Sequence, residues 1–487
     1  MSEPVFETKN GTVRGSDLGA VTRIARLRYA EPPTGPRRFA PPEPIAPWQG
    51  TLDCSAGHSP VPPQLQSRLA KVMGDYPADQ DEDCLHLDIW VPNARSGPLP
   101  VLVFIHGGAF MTGGGGLGCY DGTALAEREG IIVVNISYRL GVLGFLPIEG
   151  IAPGNLGLMD QETALRFTRA NIAGMGGDAG NIIVSGQSAG AYSIQAMLAR
   201  DDASALFDRA VVMSSPMGID LKPPAASKDA ADSFLAELGE APHTASISKI
   251  LGAQAALLRG MDRAPDDVTP SFLPVLDGEY LSVDPAAPDA AKHAAWCPMI
   301  AGVTREEHAA FHYKDEAFHA QASALIETRF TERYGARAAT ELARARRRRI
   351  PTSDAAVLID HGSRGRFVVG TFDYVEALAA AEGQVWAYVF AWQSPTPEIG
   401  ACHCIELPFV FGNLATWANA PMLKGAGQDE LEALARMFGG ALGAFARSGD
   451  PAGNGGVEWP TFNAARAYLT VDTHVSASGL LPGYYPC

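Results

Sequence analysis

The feature that most restricts the fold is an alternation. Short runs rich in β-branched and other apolar residues recur along the chain, separated by segments with helical patterning. "LDIWV" (87–91), "PVLVFIHGG" (100–108), "GIIVVNISYR" (130–139), "NIIVS" (181–185), "AVVMSS" (210–215), "PMIAGVT" (298–304) and "QVWAYVFAW" (384–392) read as buried strands. Between them, "NLGLMDQETALRFTRANIAGMGG" (155–177) reads as a helix ended by glycines, with Leu158, Ala164, Leu165 and Ile172 on its apolar side. "AGAYSIQAMLAR" (189–200) reads as another. This order predicts an α/β fold, a central and mostly parallel twisted sheet with helices on both faces. The stretch between about 216 and 380 is mainly helical in pattern and is expected to supply a cap or insert. The first 50 residues are dense in turn formers, as in "YAEPPTGPRRFAPPEPIAPWQG", and are expected to wrap the surface.

A chain of 487 residues exceeds the usual domain size, yet large α/β proteins reach it around one sheet. Neither a repeat nor a low-complexity linker divides it, so 1–487 is read as a single domain. No apolar run approaches the roughly 18 residues of a membrane span. The opening "MSEPVFETKNGTVRG" has neither the basic leader nor the apolar core of a signal peptide. Cysteines at 54, 84, 119, 297, 402, 404 and 487 are odd in number and irregularly spaced, which points to a reduced, cytoplasmic setting. A net charge of −16 disfavours nucleic acid and anionic membrane as partners. The basic run "ARARRRRI" (343–350) reads as a solvated helix face. A monomer or a small homo-oligomer is expected.

Chemistry enters at "IIVSGQSAGAYSI". A strand runs into G-x-S-x-G, and a helix leaves from Ala189. This is the pattern of a nucleophile elbow, in which side chains at 186 and 190 would clash in so tight a bend. The turn makes Ser188 the candidate nucleophile. A serine hydroxyl needs a base to take its proton and donors to hold the oxyanion that follows. "FIHGGAF" (104–110) offers successive N–H groups at Gly107, Gly108 and Ala109, and Ala189 offers another.

These segments resemble the type B carboxylesterase family of the α/β-hydrolase fold, which includes para-nitrobenzyl esterases, mammalian carboxylesterases and cholinesterases. The resemblance spans nearly the whole chain. It runs from "GTVRG" and "YAEPPTGPRRFAPP" through "EDCLHLDIWVP", "HGGAF", "YRLGVLGFL", "NLGLMDQETALRF", "GGDAGNI" and "GQSAG" to "HCIELPFVFGN", "FARSGDP" and "WPTF". It implies a serine–glutamate–histidine triad. The family's acid falls on Glu307 in "GVTREEH", where His308 replaces the usual glycine and Glu306 remains an alternative. Its histidine falls on His403 in "GACHCIELPFVFGN", with Glu406 a structural carboxylate. In the mechanism implied, His403 takes the proton of Ser188 while Glu307 holds the imidazole's tautomer. The function implied is hydrolysis of carboxylic esters through an acyl-enzyme.

Cholinesterases of the family carry a glutamate before the nucleophile and a tryptophan in an early disulfide-closed loop. Here Gln187 is neutral, no tryptophan lies between Cys54 and Cys84, and Cys84 is expected to lack a disulfide partner. A cation would gain little of the ~2 kcal/mol a desolvated cation–π site gives. "GQSAGAYSI" together with "HCIELPF" resembles bacterial soil-type members, among them a hydrolase of aryl carbamates such as phenmedipham. Apolar or aromatic esters are therefore the expected substrates, with aryl carbamates or amides as the alternative, and Phe110, Met111, Gln187 and Tyr192 as pocket residues. A non-catalytic binding protein of the same fold is the remote alternative, since adhesion members of the family lose the nucleophile.

No cofactor and no metal is expected. "DQDEDC" (79–84) resembles a calcium loop only in part, with Trp90 where a bidentate glutamate belongs, and is read as ion-paired. "CHC" (402–404) lacks further zinc ligands nearby in sequence, and its cysteines are read as packing residues. The "GGGG" run (113–116) lacks the lysine of a P-loop and is read as a mobile segment beside the oxyanion turn.

Overall fold

The first fifty residues do more than wrap the surface. In the computed structural model, which describes residues 4–349, 352–453, 457–463 and 465–479, this segment holds four short strands. They are β1 (Val5–Glu7), β2 (Thr12–Arg14), β3 (Ser16–Asp17) and β4 (Val21–Arg28). With β5 (Thr51–Asp53), β1 and β2 form a small sheet, while β3 and β4 extend the edge of the main one. Strand β4 escaped the periodicity argument for a physical reason. Its register slips between Ile24 and Leu27, where Arg26 takes a positive φ of 57°, so its buried residues do not alternate. The Arg26 N–H displaced by this bulge donates to Asp88 Oδ1 at 3.0 Å.

The remaining strands are β6 (His86–Pro92), β7 (Leu99–Ile105), β8 (Ile132–Ile136), β9 (Gly177–Gln187), β10 (Arg209–Met213), β11 (Met299–Thr304), β12 (Val385–Phe390), β13 (Ala467–Val471) and β14 (Ser476–Gly479). Among the described residues the main sheet has eleven strands in the order β14-β13-β12-β11-β10-β9-β7-β8-β6-β4-β3. From β13 to β8 neighbours run parallel, and the outer pairs are antiparallel. Strands β6, β8, β11 and β12 are buried along their whole length, which is why they read as continuous apolar runs rather than alternating ones. The α/β-hydrolase fold is thus present, with helices on both faces of a mixed, mostly parallel sheet.

The sequence order reverses at β7. Strand β8 lies on one side of it and β9 on the other, so the carboxyl ends of β7 and β9 flank a switch point, where open α/β sheets leave a crevice. The helical cap is built from both sides of β11. Helices Lys228–Leu238, Ile247–Gly260 and Pro288–His293 precede this strand, and Glu316–Tyr334, Ala338–Arg348, Asp354–Ser363 and Val369–Ala380 follow it.

Two expectations are corrected. The glycines at 113–116 are not loose. A Cβ at Gly115 would stand 2.7 Å from Ile136 O, and one at Gly116 would stand 2.2 Å from Ser59 O. Gln64 clamps the run further, its amide exchanging two 2.7 Å hydrogen bonds with Gly113. The basic run lies only partly on a solvated face. Arg344, Arg346, Arg347 and Arg348 are exposed, but Arg349 turns inward to the fully buried Glu306 at 2.7 Å, and Ile350 lies outside the described residues. The acidic loop is ion-paired as expected, with Glu82 on Arg38 and Asp83 on Arg28. Cys84 is free, and so are the five other described cysteines, all buried. No helix among the described residues is long and apolar enough to cross a membrane.

Candidate active site

Ser188 sits between the end of β9 and the helix Ala189–Leu198, with φ 57° and ψ −122°. A non-glycine residue held there stores strain, which surrounding contacts must over-determine. The bend is enforced from both sides. A Cβ at Gly186 would lie 2.6 Å from Gly190, and one at Gly190 would lie 2.0 Å from Ile105 O. The Ser188 N–H donates to Met213 O at the end of β10, 2.8 Å away, which ties the elbow to the neighbouring strand.

The "HGGAF" turn leaves the carboxyl end of β7 beside this elbow. Ala109 and Phe110 both have φ of 59°, and a Cβ at Gly107 would touch Ser188 Cβ at 3.0 Å. The N–H groups of Gly107, Gly108 and Ala109 donate to nothing among the described residues. They are free to serve an incoming oxygen, with the N–H of Ala189 at the start of its helix beside them. The "YRLG" segment holds this turn in place. Tyr138 stacks on His106 with ring centroids 4.4 Å apart and donates to His106 O, and Gly141 N–H donates to Phe110 O at 2.7 Å. Burial pushes the His106 imidazole down to about 4, so at neutral pH it is an uncharged structural ring.

Glu307 and His403 meet at the carboxyl end of β11. Both side chains are fully buried, and His403 Nδ1 is hydrogen-bonded to Glu307 Oε2, while Glu307 Oε1 accepts from Thr304 N–H at 2.7 Å. The two loops are joined by their backbones as well. Glu306 N–H donates to Ala401 O at 2.9 Å, and His403 N–H donates to Glu307 O at 3.3 Å. Glu306 is committed elsewhere. Its carboxylate accepts from Ala401 N–H at 2.8 Å, Gln393 at 3.1 Å, and Arg305 and Arg349. Against the cost of burial, Arg305, the Ala401 N–H and Arg349 hold it below the usual carboxyl value.

His308 stands where the resemblance to the family leads one to expect glycine. It is buried, and the chain has made room for it at Gly362, where a Cβ would stand 2.2 Å from His308 Nδ1. The loop keeps its shape through His308 N–H, which donates to Ser363 Oγ at 3.0 Å.

The other ring nitrogen, His403 Nε2, lies 3.2 Å from the amide nitrogen of Gln187, the residue next to Ser188. With Nδ1–H facing Glu307, Nε2 accepts from this amide. The Cys404 thiol, kept protonated by burial, donates to Gln187 Oε1 at 3.5 Å. Cys404 therefore does more than pack. Two aromatic rings join the base to the serine. Phe311 and Phe367 stand 5.3 and 4.9 Å from the imidazole centroid, and both line the narrow cavity at Ser188 with Phe110 and Ala109. No motif marked either ring, because they come from different cap segments.

Of the other expected pocket residues, Met111 lines an adjoining cavity of about 270 Å³, and Gln187 lines another of about 380 Å³. Tyr192 lines none of these cavities. It is fully buried in the helix after the elbow and backs the site edge-on to Phe110.

Comparison with known proteins places this geometry among hydrolases. The sequence matches the model of the carboxylesterase family over residues 2–481. It is 36% identical to the probable N-octanoylanthranilate hydrolase of Rhodococcus erythropolis, over 96% of this chain and 98% of that one. It is 34% identical to the para-nitrobenzyl esterase of Bacillus subtilis (98% and 96%) and 32% identical to the phenmedipham hydrolase of Pseudarthrobacter oxydans (95% and 94%). The solved carboxylesterase of Geobacillus stearothermophilus superposes with a TM-score of 0.84 at 30% identity, covering 98% of both chains.

Proposed function

Since the chain belongs to the carboxylesterase family and is an esterase of the α/β-hydrolase fold, we propose that Ser188 is its nucleophile, His403 the base that activates it, and Glu307 the acid that orients the base. The observation that carries this reading is the convergence at the switch point. A strained serine stands beside three unspent N–H groups, and the neighbouring residue's amide is bonded to an imidazole whose other nitrogen faces a buried carboxylate.

In the reaction, His403 Nε2 exchanges the Gln187 amide for the adjacent Ser188 hydroxyl and takes its proton. Ser188 Oγ attacks the acyl carbon, and the N–H groups of Gly107, Gly108, Ala109 and Ala189 hold the oxyanion. His403 then protonates the leaving group. Water, activated by the same imidazole, releases the acid. Glu307 stabilises the imidazolium in each half.

The apolar walls support apolar or aromatic esters as substrates, with Phe110, Phe311 and Phe367 at the serine and Met111 beyond them. Gln187 is neutral and engaged on both its atoms, so it offers no charge to a choline head group. A second reading, cleavage of aryl carbamates or N-acyl amides by the same machinery, is supported by the relatives named for phenmedipham and N-octanoylanthranilate. Six buried, unpaired cysteines support a cytoplasmic setting, where thiols stay reduced.

The test is turnover of para-nitrophenyl butyrate. Ser188→Ala should lower kcat by at least about a thousandfold with the circular dichroism spectrum unchanged. An organophosphate should label residue 188 in the native chain. Label at another residue, or an active Ser188→Ala chain, overturns the assignment.

A further inference from the structure

Three arginines border the approach to Ser188, and none of them forms an ion pair with an acidic side chain among the described residues. Arg68 and Arg263 line the 270 Å³ cavity together with Met111, Leu258, Ser271 and Phe311. Arg366 lines the narrow cavity at the serine, and the two spaces adjoin, sharing Leu69, Ala109 and Phe311. The polar contacts of Arg263 are Thr269 O, Ser271 Oγ at 2.9 Å and the Met261 sulfur at 3.4 Å. Arg366 donates to Thr269 Oγ1 at 2.5 Å. The Arg68 guanidinium carbon stands 6.0 Å from the centroid of the Phe311 ring.

Carboxylates are present nearby, and the charge of Asp267 acts on all three guanidinium groups, that of Asp315 on Arg68. Asp266 pairs with Arg329, Asp315 Oδ1 caps a helix by accepting from Phe318 N–H at 3.1 Å, and Asp267 Oδ1 accepts from Thr269 N–H at 2.9 Å. Arg68 is exposed and Arg263 and Arg366 are half-buried, and elsewhere the chain partners its inward arginines with acids. Arg38 sits on Glu82, Arg139 on Asp160, and Arg349 on Glu306. Three guanidinium groups thus share Asp267, with Asp315 acting on Arg68 as well, and in a chain of net charge −16 a cavity wall left with more cations than acids marks a place where an anion can be supplied from outside. Burial also lowers the Arg366 guanidinium below the ordinary arginine value, a cost that an incoming anion would relieve.

We propose that this cavity is a carboxylate subsite, and that the substrate is an ester, carbamate or amide carrying an anionic carboxylate some bonds away from its scissile carbonyl. Its apolar body lies on Met111, Leu258 and Phe311, while the carboxylate reaches Arg68 and Arg263, which match it in charge and in donor geometry. The inference rests on the esterase site proposed at Ser188 and names the class of molecule that enters it. The carboxylate belongs either to the leaving group or to the acyl chain.

Two substrate pairs separate these sources. 4-Carboxyphenyl butyrate against 4-carbamoylphenyl butyrate places the charge on the leaving group. Phenyl hydrogen glutarate against phenyl 4-carbamoylbutyrate places it on the acyl chain. In one pair at least, the acid should exceed its amide in kcat/KM by about tenfold, mainly through KM. That ratio should fall at least about fivefold in Arg68→Gln and in Arg263→Gln. Comparing ratios between native and substituted chains cancels the intrinsic reactivity of each ester. Arg68 makes no hydrogen bond among the described residues, so its replacement breaks none.

Calorimetry with 4-butoxybenzoate and 4-butoxybenzamide, ethers that cannot be cleaved, reads the same subsite without turnover. Absence of preference in both pairs and in binding, or a preference that survives both substitutions, overturns the proposal. If no ester is turned over while 4-butoxybenzoate binds selectively and loses affinity in Arg68→Gln, the esterase reading fails and the subsite stands.

Discussion

At the scale of single residues, Glu406 shows how the site tolerates a second acid. It is fully buried, and its Oε1 accepts from Ser214 Oγ at 3.2 Å. Burial first, and the charge of Glu307 second, push its carboxyl up to about 8. A neutral Glu406 leaves Glu307 as the charged carboxylate that faces the His403 imidazole. The sign of the linkage is fixed. Between the ordinary carboxyl value and about 8, the folded chain keeps a proton that the unfolded chain has lost. Rising pH therefore removes stability across that window, by up to about 1.4 kcal/mol per pH unit. Glu406→Gln lacks this titration. Urea unfolding at a series of pH values should show native stability falling relative to the variant from about pH 5 to about pH 8. A difference that does not change with pH would mean that Glu406 carries no such proton.

At the scale of elements, the exchange of glycine for His308 in the acid loop is absorbed by the helix Asp354–Ser363 through Gly362. Gly362→Ala should cost about 1–3 kcal/mol by overpacking. The same change in a His308→Gly background should cost little, and a double-mutant cycle by chemical denaturation reads the coupling. Additive costs would show that the two residues do not share the space. This compensation could not be read from sequence, because the partners are far apart in the chain and Gly362 belongs to no motif. The strands were legible for the opposite reason. Buried runs such as "IIVVNI" declare themselves, whereas β4 hides behind its bulge, and β13 is only partly buried, with no continuous apolar run.

For the whole molecule, the cap and the sheet are one structure. Strand β11 lies between β10 and β12 at the heart of the sheet, yet in sequence it falls inside the cap segment. Excision of residues 216–380 should therefore leave no folded remainder, since β10 and β12 would lose their shared neighbour; a native-like circular dichroism spectrum from the shortened chain would contradict this. Ser188 was legible as a candidate from the elbow pattern of its own segment, whereas Glu307 and His403 were reached through the resemblance to the family, since neither carries a local geometric signal of its own. Phe311, Phe367 and the three arginines were legible in neither way. They converge from separate cap segments and from the loop before "HGGAF", and only the folded chain brings them to one wall. Among these parts, the backbone pairing of the Glu306–Glu307 loop with residues 401–403 has a further consequence. Glu307 and the imidazole are thus tied together and to the sheet, whereas Leu258 and Arg366 of the cavity walls hang from cap helices outside it. Mutational drift in the helices can retune which molecules enter while leaving the strength of the base unaltered, so selectivity and reactivity are free to diverge independently across lineages.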